Sequence, residues 1–182
     1  NNQLNGNITF SKPMHLCAIN STNTVSATVT NWFLPNARLV AIKPSNYIQE
    51  NDRKKVLYFT SFALGCAMAS IDIMIEVSKK KSLAFITDTI NSLEVEVNQC
   101  RNSIELANKN PDTDFATKLH LRAKAINLAQ RSAVAAVTVS SGAANHKNNA
   151  AQRVYREALV YTVSAQTTDI MEATLKNLVP RF

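Results

Sequence analysis

Between residues 83 and 104 an apolar side chain recurs at every third or fourth position: Leu83, Ile86, Ile90, Leu93, Val97, Cys100 and Ile104. Residues three and four apart share a face only in an α-helix, so this spacing predicts a helix with one continuous apolar stripe. A stripe of that length has to be covered, which commits the chain to packing helix on helix. The pattern ends at "NKNPDTD". There Pro111 has no amide hydrogen to donate and its ring clashes with the preceding turn, while Asp112 or Asp114 is placed to cap the next helix.

The flanking segments extend this reading. Upstream, a helix from Asp52, its N-cap, to about Val77 is apolar almost all round, through Val56, Leu57, Phe59, Phe62, Leu64, Met68, Ile71 and Met74. A helix without a polar face is expected at the centre of a bundle. Its uncharged run, Val56 to Ile71, is shorter than the ~20 residues of a membrane span, and Asp72 closes it, so a core helix is expected. Downstream, a helix over about 113–139 is dense in alanine (Ala123, Ala125, Ala129, Ala133, Ala135, Ala136), which lets backbones approach closely. "SSGAANHKNN" reads as a loop, and a fourth helix as running from about Ala150 to Leu178. Four long helices with short connections predict an antiparallel four-helix bundle and a mainly α fold.

Before Pro44 the pattern is that of strands. From Gly6 to about Ile42 the chain is rich in Thr, Val, Ile and Phe, with turn signals at Asn5-Gly6, Lys12-Pro13, Asn20 to Asn23 and Pro35-Asn36. "TVSATVTNWF" alternates so that Val25, Ala27 and Val29 fall on one face, which predicts a strand with that face on a core. Three or four short strands are too few to close a sandwich or barrel. The expected organisation is therefore residues 1–46 as the C-terminal part of a β domain and residues 47–182 as a helical bundle domain. The opening "NNQLNG" begins in mid-pattern, so a preceding N-terminal portion of the same protein is expected.

Charge and reactive residues narrow the function classes. The net charge is +7, but its densest runs, Arg53-Lys54-Lys55 and Lys79-Lys80-Lys81, lack the aromatic or Gly-rich company of a nucleic-acid surface, so no nucleic-acid partner is expected. Cys17, Cys66 and Cys100 form no close pair, and His15, His120 and His146 lie on separate elements, so neither a disulfide framework nor a metal site is indicated. Ser140-Ser141-Gly142 follows no strand and is not a nucleophile elbow.

In the last segment, "SGAANHKNNAAQRVYREALVYTVSAQTTDIMEATL", Gly142, Arg153, Arg156, Glu157, Ala158 and Thr167 fall on a pattern of Gly-Gly, then Arg-x-x-Arg-Asp-Ala, then Tyr-Glu-Gly-Thr. This resembles the C-terminal segment of the acyl-CoA dehydrogenase family, in a divergent cyanobacterial or plastid type. "NWFLPNARLV" is similar to the end of that family's middle β domain, and "DRKKVLYFTSFALGCAMASIDIM" to its first bundle helix, with Gly65 in place. The resemblance implies an FAD-dependent oxidoreductase in which a Glu removes an α proton from an acyl thioester while the flavin accepts a hydride.

Carried over residue by residue, the base position of Tyr-Glu-Gly-Thr is Ala165. The family's alternative position, counted back from Gly65, is Lys55, with Asp52 or Glu50 a few residues away. No catalytic carboxylate stands at either position, and Asp52 is the remaining candidate beside its reading as an N-cap. The resemblance implies FAD contacts from Ser141, Gly142, Thr167 and Arg156, thinned because the Gly-Gly pair reads Ser141-Gly142 and the two family Gln positions carry Thr138 and Asp169. The family's Arg-x-x-x-Phe-Gly signature is absent from "SKKKSLAF", leaving Lys79 to Lys81 as substitute charge. A homo-oligomer, tetramer or dimer, or a subunit of a larger assembly is implied, formed through the apolar first helix and the Leu/Ile stripe of the second. The implied location is the cytoplasm, or the plastid stroma. Three functions stay open: a dehydrogenase-like enzyme lacking the usual Glu, a catalytically inactive assembly protein that has lost FAD, and a flavin-dependent monooxygenase-like relative.

Overall fold

The computed structural model describes residues 6–179, so Asn5 of the Asn5-Gly6 turn and the opening residues before it lie outside. Strands β1 (Asn7–Phe10) and β2 (Ala27–Thr30) precede helices α1 (Tyr47–Lys54), α2 (Thr60–Lys81), α3 (Ala84–Lys109), α4 (Phe115–Ser140), α5 (Ala150–Val163) and α6 (Thr168–Leu178). The chain divides into two compact units, Asn1–Glu50 and Asn51–Phe182, with the division inside α1.

In the first unit β1 and β2 pair antiparallel, with Ile8 opposite Val29 and Phe10 opposite Ala27. Paired residues share a face, so the alternation collects Ile8, Phe10, Ala27 and Val29 on one side and Asn7, Thr9, Thr28 and Thr30 on the other. Two strands form among the described residues, not the three or four expected, and Val25, Ala27 and Val29 are exposed rather than packed on a core. Ser11 fixes the end of the ladder, its amide donating to the Ser26 carbonyl (2.9 Å) and its hydroxyl accepting from the Ser26 amide (3.0 Å). Gly6 is required sterically, since a Cβ there would stand 2.8 Å from the Trp32 Cα.

In the second unit α4 packs against α2, α3, α5 and α6, while α2 packs against α3, α4 and α5. The expected centre, α2, is therefore displaced by α4. The reason is side-chain size: Ala125, Ala129, Ala133 and Ala136 of α4 are fully buried, as is Ala67 of α2, and small faces admit close backbones. The stripe of α3 forms as its spacing requires, with Ile86, Ile90, Leu93, Val97, Cys100 and Ile104 buried. Leu83 is the exception, exposed at the N-cap. That stripe is consumed inside the chain against α2 and α4, so it does not serve as the subunit interface expected of it.

The turn after α3 follows the sequence: α3 stops at Lys109, and Asp114 caps α4, its carboxylate accepting from the Thr117 amide (2.8 Å) and hydroxyl (2.6 Å). Asp52, by contrast, lies within α1 and is no N-cap; α2 begins at Thr60 with Phe59 in the cap position. Between them the chain turns tightly, with the Tyr58 amide on the Lys55 carbonyl (2.9 Å) and the Thr60 amide on the Leu57 carbonyl (3.1 Å). This turn drives Val56 and Leu57 into the core. Among the described residues α2 is the one helix long and apolar enough to cross a membrane, and α3, α4 and α5 pack against part of its surface.

Candidate functional site

The helix expected from Ala150 to Leu178 is two helices, broken within "YTVSAQTTDI". Ser164 ends α5 by donating both its amide (2.9 Å) and its hydroxyl (2.6 Å) to the Val160 carbonyl. Ala165 follows in the left-handed region at φ 46°, and Thr167 restarts the chain as N-cap of α6, its hydroxyl accepting from the Ile170 amide (3.3 Å). No glycine or proline marks the break. What holds it is a side chain from α4: Arg122 donates from Nη2 to the Ser164 carbonyl (2.9 Å), a group freed by the ending of α5.

Arg122 is 1 % exposed, with its guanidinium carbon 5.3 Å from the centre of the Phe59 ring. Among the described residues no carboxylate lies within ion-pair distance of it, and its Nε has no hydrogen-bond partner. Burial pushes the guanidinium down to about 10, because removal from water disfavours the charged form. An uncompensated buried cation is costly, so this is a strained electrostatic position. The sequence carried one signal for it: Arg122 stands on the line 122, 125, 129, 133, 136, the alanine face that α4 buries.

Beside Arg122 opens a cleft of about 370 Å³, lined also by Asp52, Lys55, Phe59, Ala165 and Ile170. Asp52 and Ala165, far apart in sequence, thus border one space. Asp52 is half-buried, Lys55 and Ala165 are exposed, and Ile170 is buried. The arrangement puts one carboxylate and two cations around an apolar floor, a composition suited to proton transfer at a polarised carbon.

The proposed cofactor residues are not gathered there. Ser141 and Gly142 lie in the turn beyond the far end of α4, about 28 Å from Arg122 at 1.5 Å per helical residue. The Arg156 guanidinium donates to Gln152 on its own helix, and the Thr167 hydroxyl is occupied as a cap. Of the lysines offered as substitute charge, Lys79 pairs with Glu76 (2.6 Å) and Lys81 donates to the Val139 carbonyl (2.6 Å), capping α4. Only the Ser141-Gly142 turn keeps open space, since a Cβ on Gly142 would meet nothing within 4 Å. One open turn does not hold a dinucleotide, so the described residues do not fit FAD by themselves. Ser141 itself adopts φ 55°, ψ −145°, a conformation favoured by glycine. Ser141→Gly is expected to stabilise the chain by about 0.5–1 kcal/mol in urea unfolding, and a loss of stability would show that the serine is held by something other than its backbone.

No family model and no curated protein matches the chain. Solved structures do. An acyl-CoA dehydrogenase from Geobacillus kaustophilus superposes with a TM-score of 0.78 at 13% identity, over 94% of this chain and 49% of its own. Butyryl-CoA dehydrogenase from Megasphaera elsdenii gives 0.72 at 16% identity, over 97% of this chain and 50% of its own. The chain has the acyl-CoA dehydrogenase fold. It spans about half the length of these structures, consistent with the C-terminal part of the acyl-CoA dehydrogenase fold. PigA, solved with FAD and proline, is also similar, with a TM-score of 0.71 at 14% identity over 94% of this chain. At such identities the likeness establishes the acyl-CoA dehydrogenase architecture and leaves the chemistry to the residues.

Proposed function

We propose that this chain is the C-terminal half of an acyl-CoA dehydrogenase-like oxidoreductase in which Asp52 replaces the missing base at position 165. The supporting observation is that Asp52 and Ala165 line one cleft, while Asp52 has no capping duty to explain it. In the proposed step a C–H bond α to an acyl thioester carbonyl breaks, the proton moves to a carboxylate oxygen of Asp52, and the electron pair stays on the substrate as an enolate. Arg122 and Lys55 supply positive charge where the enolate oxygen develops negative charge. Binding of a flavin falls to parts of the protein beyond these residues, because Arg156 and Thr167 are engaged internally.

A non-catalytic assembly role is the second reading, favoured by the exposed side chains of Tyr58, Phe62 and Met68 along one groove beside α2. That reading expects a homo-oligomer that handles no thioester. The whole protein incubated with butyryl-CoA in heavy water separates the two: exchange of the α protons, read by NMR, is expected of the enzyme. Absence of exchange with a range of acyl-CoA thioesters would overturn the enzymatic reading.

A further inference from the structure

We propose that the cleft at the broken last helix binds a small monocarboxylate with a short apolar body, anchored by Arg122. The first ground is the state of Arg122, a buried guanidinium that has spent one nitrogen on the Ser164 carbonyl, leaves Nε without a partner, and faces no carboxylate within ion-pair distance among the described residues. A site of that kind gains from an anion, because pairing offsets the cost of the buried charge. The second ground is the balance of the lining: Lys55 and Arg122 against Asp52, which leaves room for one negative charge and opposes a second.

The third ground is shape. Val56, Phe59 and Ile170 give the cleft apolar walls, and Ala165, with a single methyl group, leaves empty the space a longer side chain would take. About 370 Å³ lies at the lower end of the range for small-molecule sites, which fits a short chain rather than an extended one. The Arg122 guanidinium carbon stands 5.3 Å from the centre of the Phe59 ring, and a carboxylate pairs with a guanidinium by bidentate hydrogen bonding along its edge. The inference concerns the same cleft as the proposed reaction but stands on Arg122 rather than on Asp52.

Butyrate is the probe, with butyramide as its uncharged counterpart and chloride holding the ionic strength constant. At a butyrate concentration ten times Kd the folded-to-unfolded ratio is expected to rise roughly tenfold, seen as a Tm increase of about 3–6 °C for a chain of this size. Butyramide and chloride should leave Tm unchanged. Ala165→Glu places a tethered carboxylate in the cleft and should abolish the butyrate response while keeping Arg122; Arg122→Gln should abolish it as well, and the first variant carries the test should the second fail to fold. No response to butyrate, an equal response to butyramide, or an undiminished response in Ala165→Glu would each overturn the proposal. The two proposals fail separately: butyrate binding without α-proton exchange removes only the reaction, and exchange without butyrate binding removes only the carboxylate site.

Discussion

Leu128→Ala is expected to lower the unfolding free energy by about 3–4 kcal/mol, within the range for fully buried Leu truncations. For a chain of this size that is a Tm fall of roughly 6–16 °C. Leu128 is 1 % exposed on the helix with four packing partners, and its neighbours Ala125 and Ala129 are too small to swing into the space it would leave. The site therefore cannot collapse, and most of the cavity cost remains. Leu106→Ala on α3 is the control, because Leu106 is 68 % exposed and truncation should cost no more than about 0.5 kcal/mol. Urea unfolding of both variants decides the point. Equal effects would mean that α4 is not the centre of the bundle.

The contrast between α3 and the last helix explains what was legible in the residues. The α3 stripe and the stop at Pro111 are local facts: spacing decides the face, and a missing amide decides the end. The breaks at 55–59 and 164–167 have no such marker, since "KVLYF" and "SAQT" hold neither glycine nor proline. The second break is sustained from a distance, by Arg122 meeting the Ser164 carbonyl, and that contact exists only once α4 and α5 have packed. The centre of the bundle differs from the expected one for a related reason. Large apolar residues mark α2 as buried, but alanine marks where backbones come closest, and α4 has more of it in the core. In β2 alternation gave the correct face and could not say that nothing in the described unit covers it. The cleft combines both kinds of signal: the family pattern points to Ala165 and the distance from Gly65 to Asp52, whereas Arg122 has only its place on the alanine face of α4, whose burial the fold decides.

Asp52→Asn is expected to reduce α-proton exchange of an acyl thioester by roughly 10²–10⁴-fold in the whole protein, the contribution typical of a positioned general base. The amide matches the carboxylate in size but cannot take the proton, and Asp52 forms no ion pair among the described residues, so folding should be little changed. Ala165→Glu in the Asp52→Asn background should recover part of the lost rate, because position 165 borders the same cleft and a carboxylate there would sit beside Arg122. Two effects oppose each other in that second change. Ala165 already holds a left-handed conformation at φ 46°, so Glu adds little backbone strain beyond what Ala bears, but pairing with Arg122 stabilises the ionised form and weakens it as a base. Recovery should therefore be partial: beside Arg122 the carboxylate stays ionised to lower pH, and its lowered basicity is the limit. An unchanged rate in Asp52→Asn would place the base elsewhere, whereas a lost rate that Ala165→Glu leaves at zero would keep Asp52 as the base and show that position 165 no longer reaches the reacting carbon.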